Sequence, residues 1–332
     1  MKATALANSN IAVIKYWGKR DERLNLPANN SISFTMDDQL QTMTTVEFDS
    51  SMKEDVLELN HHPATSKETG RVTSFLDVVR RMAKIRTKAR VVSKNSFPKS
   101  AGLASSASGF AALAGAASWA AGLHLSLREL SILARYGSGS ASRSIFGGAV
   151  EWLAGKKKNG SDSYSVQISP PEEWVHLHNV IALVSESEKK VSSVEGMRRL
   201  KTSSLFKARL RTMDSRLKTA RSAIKHGNFE DVVIPIMQDS DNMHAVMLDC
   251  WPPVCYLTDT SFEIMEKVLE LNESHGKPVA AYTFDAGPNA HVYTTEKYAH
   301  EVERMLKYTD GVLRTLNCKI GKGIRFVNED LF

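Results

Sequence analysis

The sequence predicts an α+β protein built as two domains, and three observations carry that expectation. A chain of 332 residues is long enough to bury two cores. Short β-compatible runs open the chain, whereas its last third alternates helical and strand patterns as an α+β layer. Pro170-Pro171-Glu172-Glu173 interrupts both periodicities and marks the boundary, so the expected units are 1–174 and 175–332.

Taken in order, Met1–Ile14 is mostly apolar and reads as strand, ending at Lys15-Tyr-Trp-Gly-Lys-Arg-Asp21. A basic, aromatic, Gly-containing cluster directly after a strand commonly lines a cleft, because an adjacent Tyr16-Trp17 is costly to leave in water. Pro27–Asn30 is turn chemistry, and Ser31–Thr35 and Thr44–Phe48 follow as short strands. Val72, Phe75, Leu76, Val79 and Met82 recur at helical spacing within Thr69–Lys84, where Arg71 faces either solvent or a site. Ala89–Ser93 is a strand, and the Ala/Ser-rich Ala104–Ala121 is a buried helix. Leu127–Tyr136 is a helix capped by Ser126, and Ala149–Leu153 is a strand leading to a polar tip at Lys156–Asp162. Beyond the boundary come a buried strand at Asn179–Ser185, helices over Ser203–His226, Phe229–Leu248 and Ser261–Glu273, and strands at Val279–Phe284 and His291–Thr294.

Composition excludes some functions. Hydrophobic content of 42% and charged content of 24% are ordinary for a soluble chain, and no apolar run approaches the roughly 18 residues of a membrane span. Met1–Asn10 lacks the basic start and apolar centre of a signal peptide, so a cytoplasmic protein without a membrane partner is expected. Cys250, Cys255 and Cys318 fit no zinc spacing; they are reduced by default, with a Cys250–Cys255 bridge as the alternative. A net charge of +6 favours anionic partners: nucleic acid, membrane surfaces or phosphorylated metabolites. The run Arg198–Lys225 holds ten basic residues and one acid, Asp214. Its single aromatic, Phe206, does not suggest base stacking, and a solvated helix face is the reading preferred over a nucleic-acid surface.

Two glycine-serine stretches and one carboxylate point to chemistry. In Phe97–Phe110, Pro98 and Gly102 lead into a helix whose first turn is small-sided. Such a start suits a phosphate, since free N–H groups and the helix dipole converge there and Ser105 and Ser106 add hydroxyls for phosphate or Mg²⁺. Close helix packing is an equally good account, and neither the Walker nor the Rossmann glycine pattern is present. Gly137–Gly148 places four serines (Ser138, Ser140, Ser142 and Ser144) around Arg143, a grip for carboxylate or phosphate. Asp285 stands between a strand and a Gly-Pro turn, near backbone donors, where an Asx-turn is the plain alternative.

Laid out together, these stretches resemble the diphosphomevalonate decarboxylases of the GHMP kinase superfamily. Four motifs occur in the family's order: Asn10–Asp21, Asn95–Pro98 through Ala101–Ser108, Gly137–Gly148 and Thr283–Ala290. The resemblance implies an N-terminal domain like ribosomal protein S5 domain 2, a ferredoxin-like C-terminal domain, a site between them, and a homodimer. It implies ATP-dependent phosphorylation of the 3-hydroxyl of 5-diphosphomevalonate, followed by loss of phosphate and CO₂ to give isopentenyl diphosphate. By the same resemblance Asp285, Lys15 and Arg143 are catalytic, Arg143 holding the substrate carboxylate; Tyr16, Lys19, Arg71, Ser138 and Ser140 grip the diphosphate. Gly102, Leu103, Ala104, Ser105 and Ser106 cradle the ATP phosphates, with Mg²⁺ at Ser106. Ser93 and Asn95 lie near the nucleotide, and Lys189, Ser192 and Ser193 close over phosphates. The chain departs from the family pattern at Lys99-Ser100, where Thr-Ala is common, and at Ser142, where Cys is common. Related enzymes act on 5-phosphomevalonate or mevalonate 3,5-bisphosphate, and the phosphate count of the substrate stays open at this point.

Overall fold

A computed structural model of the chain describes residues 1–97, 104–186 and 190–332. The first half runs β1 (Lys2–Asn8), β2 (Asn10–Ile14), β3 (Lys19–Asp21), β4 (Leu26–Pro27), β5 (Ser31–Thr35), β6 (Gln41–Asp49), β7 (Val56–Leu59) and β8 (His62–Pro63). It continues through α1 (Ser66–Ala83), β9 (Lys88–Asn95), α2 (Ser105–Ala120), α3 (Leu127–Gly137), β10 (Ala149–Trp152) and β11 (Ser165–Ser169). The second half has β12 (Leu177–Leu183), α4 (Ser193–Arg199), α5 (Phe206–Lys225), α6 (Glu230–Leu248) and α7 (Asp259–Ser274). It ends with β13 (Ala280–Phe284), β14 (Ala290–Thr295), α8 (Glu296–Lys307), β15 (Arg314–Lys319) and β16 (Arg325–Val327).

These strands form three main sheets, ordered β16-β1-β6-β9-β7-β8, β11-β10-β5-β2 and β13-β14-β12-β15. Sheet membership changes between β11 and β12, but the chain's end does not stay with the second half. β16 pairs antiparallel with β1, bringing Val327 opposite Thr4, so the last residues of the expected 175–332 unit complete the first sheet.

The single opening strand expected over Met1–Ile14 is two strands in two sheets. Ser9 is the break: its N–H donates to Leu40 O at 2.7 Å and its carbonyl accepts from Met36 N at 2.9 Å, so its backbone leaves the β1 ladder. Both strands are buried, and the polar run Asn8-Ser9-Asn10 between their apolar stretches is the one mark of the break in the sequence. α1 begins three residues before its expected start because Thr65 and Glu68 form a reciprocal capping box. α3 carries the same device at Ser126 and Glu129, and Ser126 is the cap that the sequence predicts. The three cysteines are free thiols, so Cys250 and Cys255 are not bridged.

The body of α2 shows why it is so rich in alanine. It lies on β1 and β6, and a Cβ at Gly115 would come within 3.1 Å of the Ala5 Cβ. Small side chains let helix and sheet approach closely, as the packing reading of this stretch requires. The phosphate reading concerns only the first turn of α2, so the two are compatible.

The basic run from Arg198 to Lys225 is only partly a solvated face. Arg209 and Arg216 turn inward onto Asp239, and Arg221 makes a two-pronged bond to Glu151 on β10 at 2.7 and 2.6 Å. Of these bonds, Arg221–Glu151 joins the two halves, while Arg209 and Arg216 tie α5 to α6 within the second.

The largest apolar cluster is continuous across those halves. Ile11, Val13, Ile32 and Phe34 pack with Leu177, Ile181, Tyr293 and residues of the C-terminal helices. Phe34 meets Trp174 edge-on at 5.1 Å and Tyr293 at 5.6 Å between ring centroids, and Tyr293 also donates its hydroxyl to Ile11 O. Phe34→Ala would open a cavity at this junction, and a loss of about 3–5 kcal/mol is expected in urea unfolding. Loss below about 1 kcal/mol would mean that the halves are not held by this core.

Candidate active site

The site begins at the end of β2, where Lys15 is almost fully buried. Its Nζ donates to Asp285 Oδ1 at 2.7 Å, and Asp285 comes from the turn after β13, in the other half of the chain. Burial pushes the Lys15 ammonium below the ordinary lysine value, while Asp285 opposes that shift. The Lys15 backbone is held separately: its N–H donates to Asp239 Oδ2 at 2.6 Å, and its carbonyl accepts from Asn29 Nδ2 at 3.0 Å.

Arg143 sits in the 3₁₀ turn Gly139–Ile145, and 2% of it is exposed. Its Nε donates to Asn10 Oδ1 and Ser33 Oγ, both at 3.0 Å, and its Nη1 donates to Ser31 Oγ at 2.6 Å. These acceptors are neutral, so the guanidinium is oriented without being discharged. Burial brings its pKa down to about 10, with Asp285 countering, and it stays a cation at neutral pH. Asn10 in turn donates to Ser140 O and Ser144 Oγ, locking the turn to β2.

Around this centre runs a cleft of about 1140 Å³. Lys15, Tyr16, Lys19, Arg71, Ala104, Ser105, Ser106, Ser138, Ser140, Arg143, Ser192, Ser193 and Asp285, all expected site residues, line it together. Five cationic side chains face it against two acidic ones, which favours a polyanionic occupant. Arg71 donates to Gly137 O at 2.9 Å and lies over the Phe110 ring, which fixes its head at the cleft edge. Lys19 is steadied by Asn25 Oδ1 at 2.6 Å. Tyr16 packs edge-on against Trp152 with its hydroxyl buried and unpartnered among the described residues, and burial pushes its pKa upward. A Cβ on Gly139 would come within 2.8 Å of both rings, so glycine lets the turn pass beneath them.

Ser93 and Asn95 line a second, smaller crevice of about 200 Å³, walled by Leu57, Val91, Phe110 and Leu113. It shares Arg71, Ser105 and Ser106 with the main cleft, so the start of α2 borders both spaces. Ala104 precedes α2 in the left-handed region, with φ of 56°, and no side chain caps the helix. Gly102, Leu103 and Lys189 lie outside the described residues. Among the described residues no group of three His, Cys, Asp or Glu side chains is placed to hold a metal ion. A magnesium ion bound mainly through phosphate and water fits this better than a protein-liganded metal, with Ser106 Oγ as the expected hydroxyl contact. No helix among the described residues is long and apolar enough to cross a membrane.

Sequence reasoning missed the supporting groups: Ser31, Ser33, Asp239 and His244. Ser31, Ser33 and Thr35 alternate with Ile32 and Phe34, a period of two that puts the hydroxyls on one face. That pattern was a readable signal for a buried polar partner. His244 is buried on α6 with Nε2 unpartnered, and burial and the nearby Lys15 charge bring its pKa down to about 4.

The profile of the diphosphomevalonate decarboxylase-like N-terminal domain matches residues 7–165, and that of the mevalonate 5-diphosphate decarboxylase C-terminal domain matches residues 179–320. The chain belongs to the diphosphomevalonate decarboxylase family. The diphosphomevalonate decarboxylase of Ganoderma lucidum is 42% identical over 327 residues, spanning 92% of this chain and 82% of the relative. The crystal structure of the Staphylococcus aureus mevalonate diphosphate decarboxylase superposes with a TM-score of 0.93 at 36% identity, over 98% of each chain. A structure of MDDEF in complex with MVAPP, AMPPCP and magnesium gives a TM-score of 0.90 at 38% identity over 99% of each chain. The fold is therefore the GHMP kinase fold.

His244 yields a pH prediction. Its folded pKa of about 4 lies below the ordinary 6.5, so its contribution to stability is present above pH 6.5 and is lost as pH falls toward 4. That gap corresponds to about 3 kcal/mol. Unfolding curves of His244→Gln are expected to show a shallower loss of stability across this window than the unsubstituted chain.

Proposed function

We infer that the protein catalyses ATP-dependent decarboxylation of (R)-5-diphosphomevalonate to isopentenyl diphosphate, ADP, phosphate and CO₂. The observation that carries this reading is the Lys15–Asp285 pair beside buried Arg143, inside a cationic cleft bordered by the start of α2. The matched relatives bear the decarboxylase name, and a structural neighbour holds MVAPP, a nucleotide analogue and magnesium together.

A tertiary alcohol is a poor leaving group until it is phosphorylated. Asp285 orients the 3-hydroxyl and accepts its proton as the oxygen attacks the γ-phosphoryl of ATP, with ADP leaving. Lys15 supplies positive charge beside that carboxylate as negative charge moves onto the transferring group. Bound magnesium would neutralise the ATP phosphates. The C–O bond then breaks with departure of phosphate, and the substrate carboxylate leaves as CO₂, its C–C electron pair becoming the new double bond. Arg143, fixed by Asn10, Ser31 and Ser33, holds that carboxylate so that the breaking bonds stay aligned.

In this reading Tyr16, Lys19, Arg71, Ser138 and Ser140 take the 5-diphosphate. Ser93 and Asn95 face the nucleotide, and the loop from Gly102 to Ser106 takes the ATP phosphates. Ser192 and Ser193, with Lys189, close from the second half, excluding water that would intercept the phosphoryl group. The proposal keeps a boundary at 174/175, with β16 returned to the first unit, together with a homodimer and a cytoplasmic location. Unbridged cysteines suit a reducing compartment, and light scattering at twice the monomer mass tests the dimer.

The deciding experiment supplies 5-diphosphomevalonate, 5-phosphomevalonate and mevalonate 3,5-bisphosphate, each with and without Mg·ATP, and analyses products. Isopentenyl diphosphate is expected only from the 5-diphosphate with ATP. Turnover of the bisphosphate without ATP would replace this reading. Asp285→Asn should lower kcat by at least about 10³-fold with substrate binding retained, since it removes a group used in the transition state.

A further inference from the structure

Two consecutive residues of α6 touch the backbone on both sides of the reacting pair. Asp239 is fully buried and accepts from the Lys15 N–H at 2.6 Å. Ser240, also fully buried, accepts through Oγ from the Phe284 N–H at 3.0 Å, one residue before Asp285. Lys15 and Asp285 are 270 positions apart and come from different sheets, so neither strand fixes the other directly. α6 is the element that both bonds share.

Asp239 also carries charge to this point. Its carboxylate is gripped by Arg209 at 3.0 Å and Arg216 at 2.8 Å, and Arg209 is tied to Asn242 at 2.8 Å. The two guanidiniums are the counter-charges that a buried carboxylate calls for. The charged and titratable groups facing Lys15 are Asp285 from the turn after β13, Arg143 from the 3₁₀ turn, and Asp239 and His244 from α6. Arg209 and Arg216 on α5 face Asp239 in turn.

We propose that Asp239 and Ser240 are positioning residues for the decarboxylation, a clip on α6 that sets the Lys15 backbone and the Phe284 backbone next to Asp285 in register. The Asp239 carboxylate is also one of the charges around Lys15, and it opposes the effect of burial there. Neither residue lines the cleft. They act through Lys15 and Asp285, so this inference rests on the activity inferred above. Turnover by the unsubstituted enzyme tests that activity, and only the variants test the clip.

The test compares kcat, KM and the pH dependence of kcat in Asp239→Asn, Arg216→Met, Ser240→Ala and Ser240→Thr. Asp239→Asn keeps an acceptor for the Lys15 N–H but removes the negative charge, so the alkaline limb should move down by about one pH unit. Arg216→Met leaves Asp239 less neutralised, so the limb should move up. Ser240→Ala should lower kcat about tenfold with KM within about threefold, and Ser240→Thr, which retains the hydroxyl, should restore it. Opposite shifts in the first two variants are not expected of a merely structural network. Should Asp239→Asn not fold, Arg216→Met and the Ser240 pair decide the matter. Unmoved limbs, shifts in the same direction, or equal impairment of the two Ser240 variants would overturn the proposal.

Discussion

Burying Lys15 is the constraint on which the site depends. An ammonium cut off from water is costly unless an anion meets it, and the anion here, Asp285, comes from the far half of the chain. Folding the two halves together is therefore also what completes the reactive pair. The continuous core from Ile11 and Phe34 to Tyr293 holds that approach, and the Arg221–Glu151 bond fastens it at a second point. Asp285 keeps 31% of its side chain exposed while Lys15 has 2%. The carboxylate is thus the more accessible member of the pair, with the lysine behind it.

The cations of the cleft are graded by depth, which suits a substrate with two differently charged ends. Arg143 is deep and held by three neutral oxygens, so its full charge remains for a small anion such as a carboxylate. Arg71 and Lys19 are less enclosed and are steadied by single carbonyl acceptors, a looser arrangement for the spread charge of a diphosphate.

Most of the site was legible because its groups fall in short, compositionally odd stretches. Lys15-Tyr-Trp-Gly, the serines around Arg143 and Asp-Ala-Gly-Pro all break the local periodicity, as functional segments often do. The supporting groups were hidden for the opposite reason. Asp239 and His244 sit inside a regular helical pattern, where a lone charge reads as a solvent-facing position until tertiary structure shows it buried. The split of the first strand at Ser9 was marked only by the polar run Asn8-Ser9-Asn10, and hydropathy does not tell which sheet buries each side. The return of β16 to the first sheet was equally hidden, since three residues carry too little pattern to name a partner some 320 positions away.

The start of α2 draws its meaning from the other helices. α1, α3 and α7 each begin with a capping box, in which side chains satisfy the first backbone donors, whereas α5, α6 and α8, like α2, have no side-chain cap. α2 has no side-chain cap and places Ala104 in a left-handed conformation that L-residues adopt at a cost. An N-cap side chain is worth about 1 kcal/mol, and the capped helices hold that residue extended, a geometry Ala104 does not share. What distinguishes α2 is the left-handed Ala104 and a first turn that borders both the main cleft and the smaller crevice. The body of the helix recovers stability by lying close on β1 and β6 through alanine and glycine. Small side chains thus serve close packing along most of α2, and in the proposed reading the same smallness at its first turn gives phosphate room.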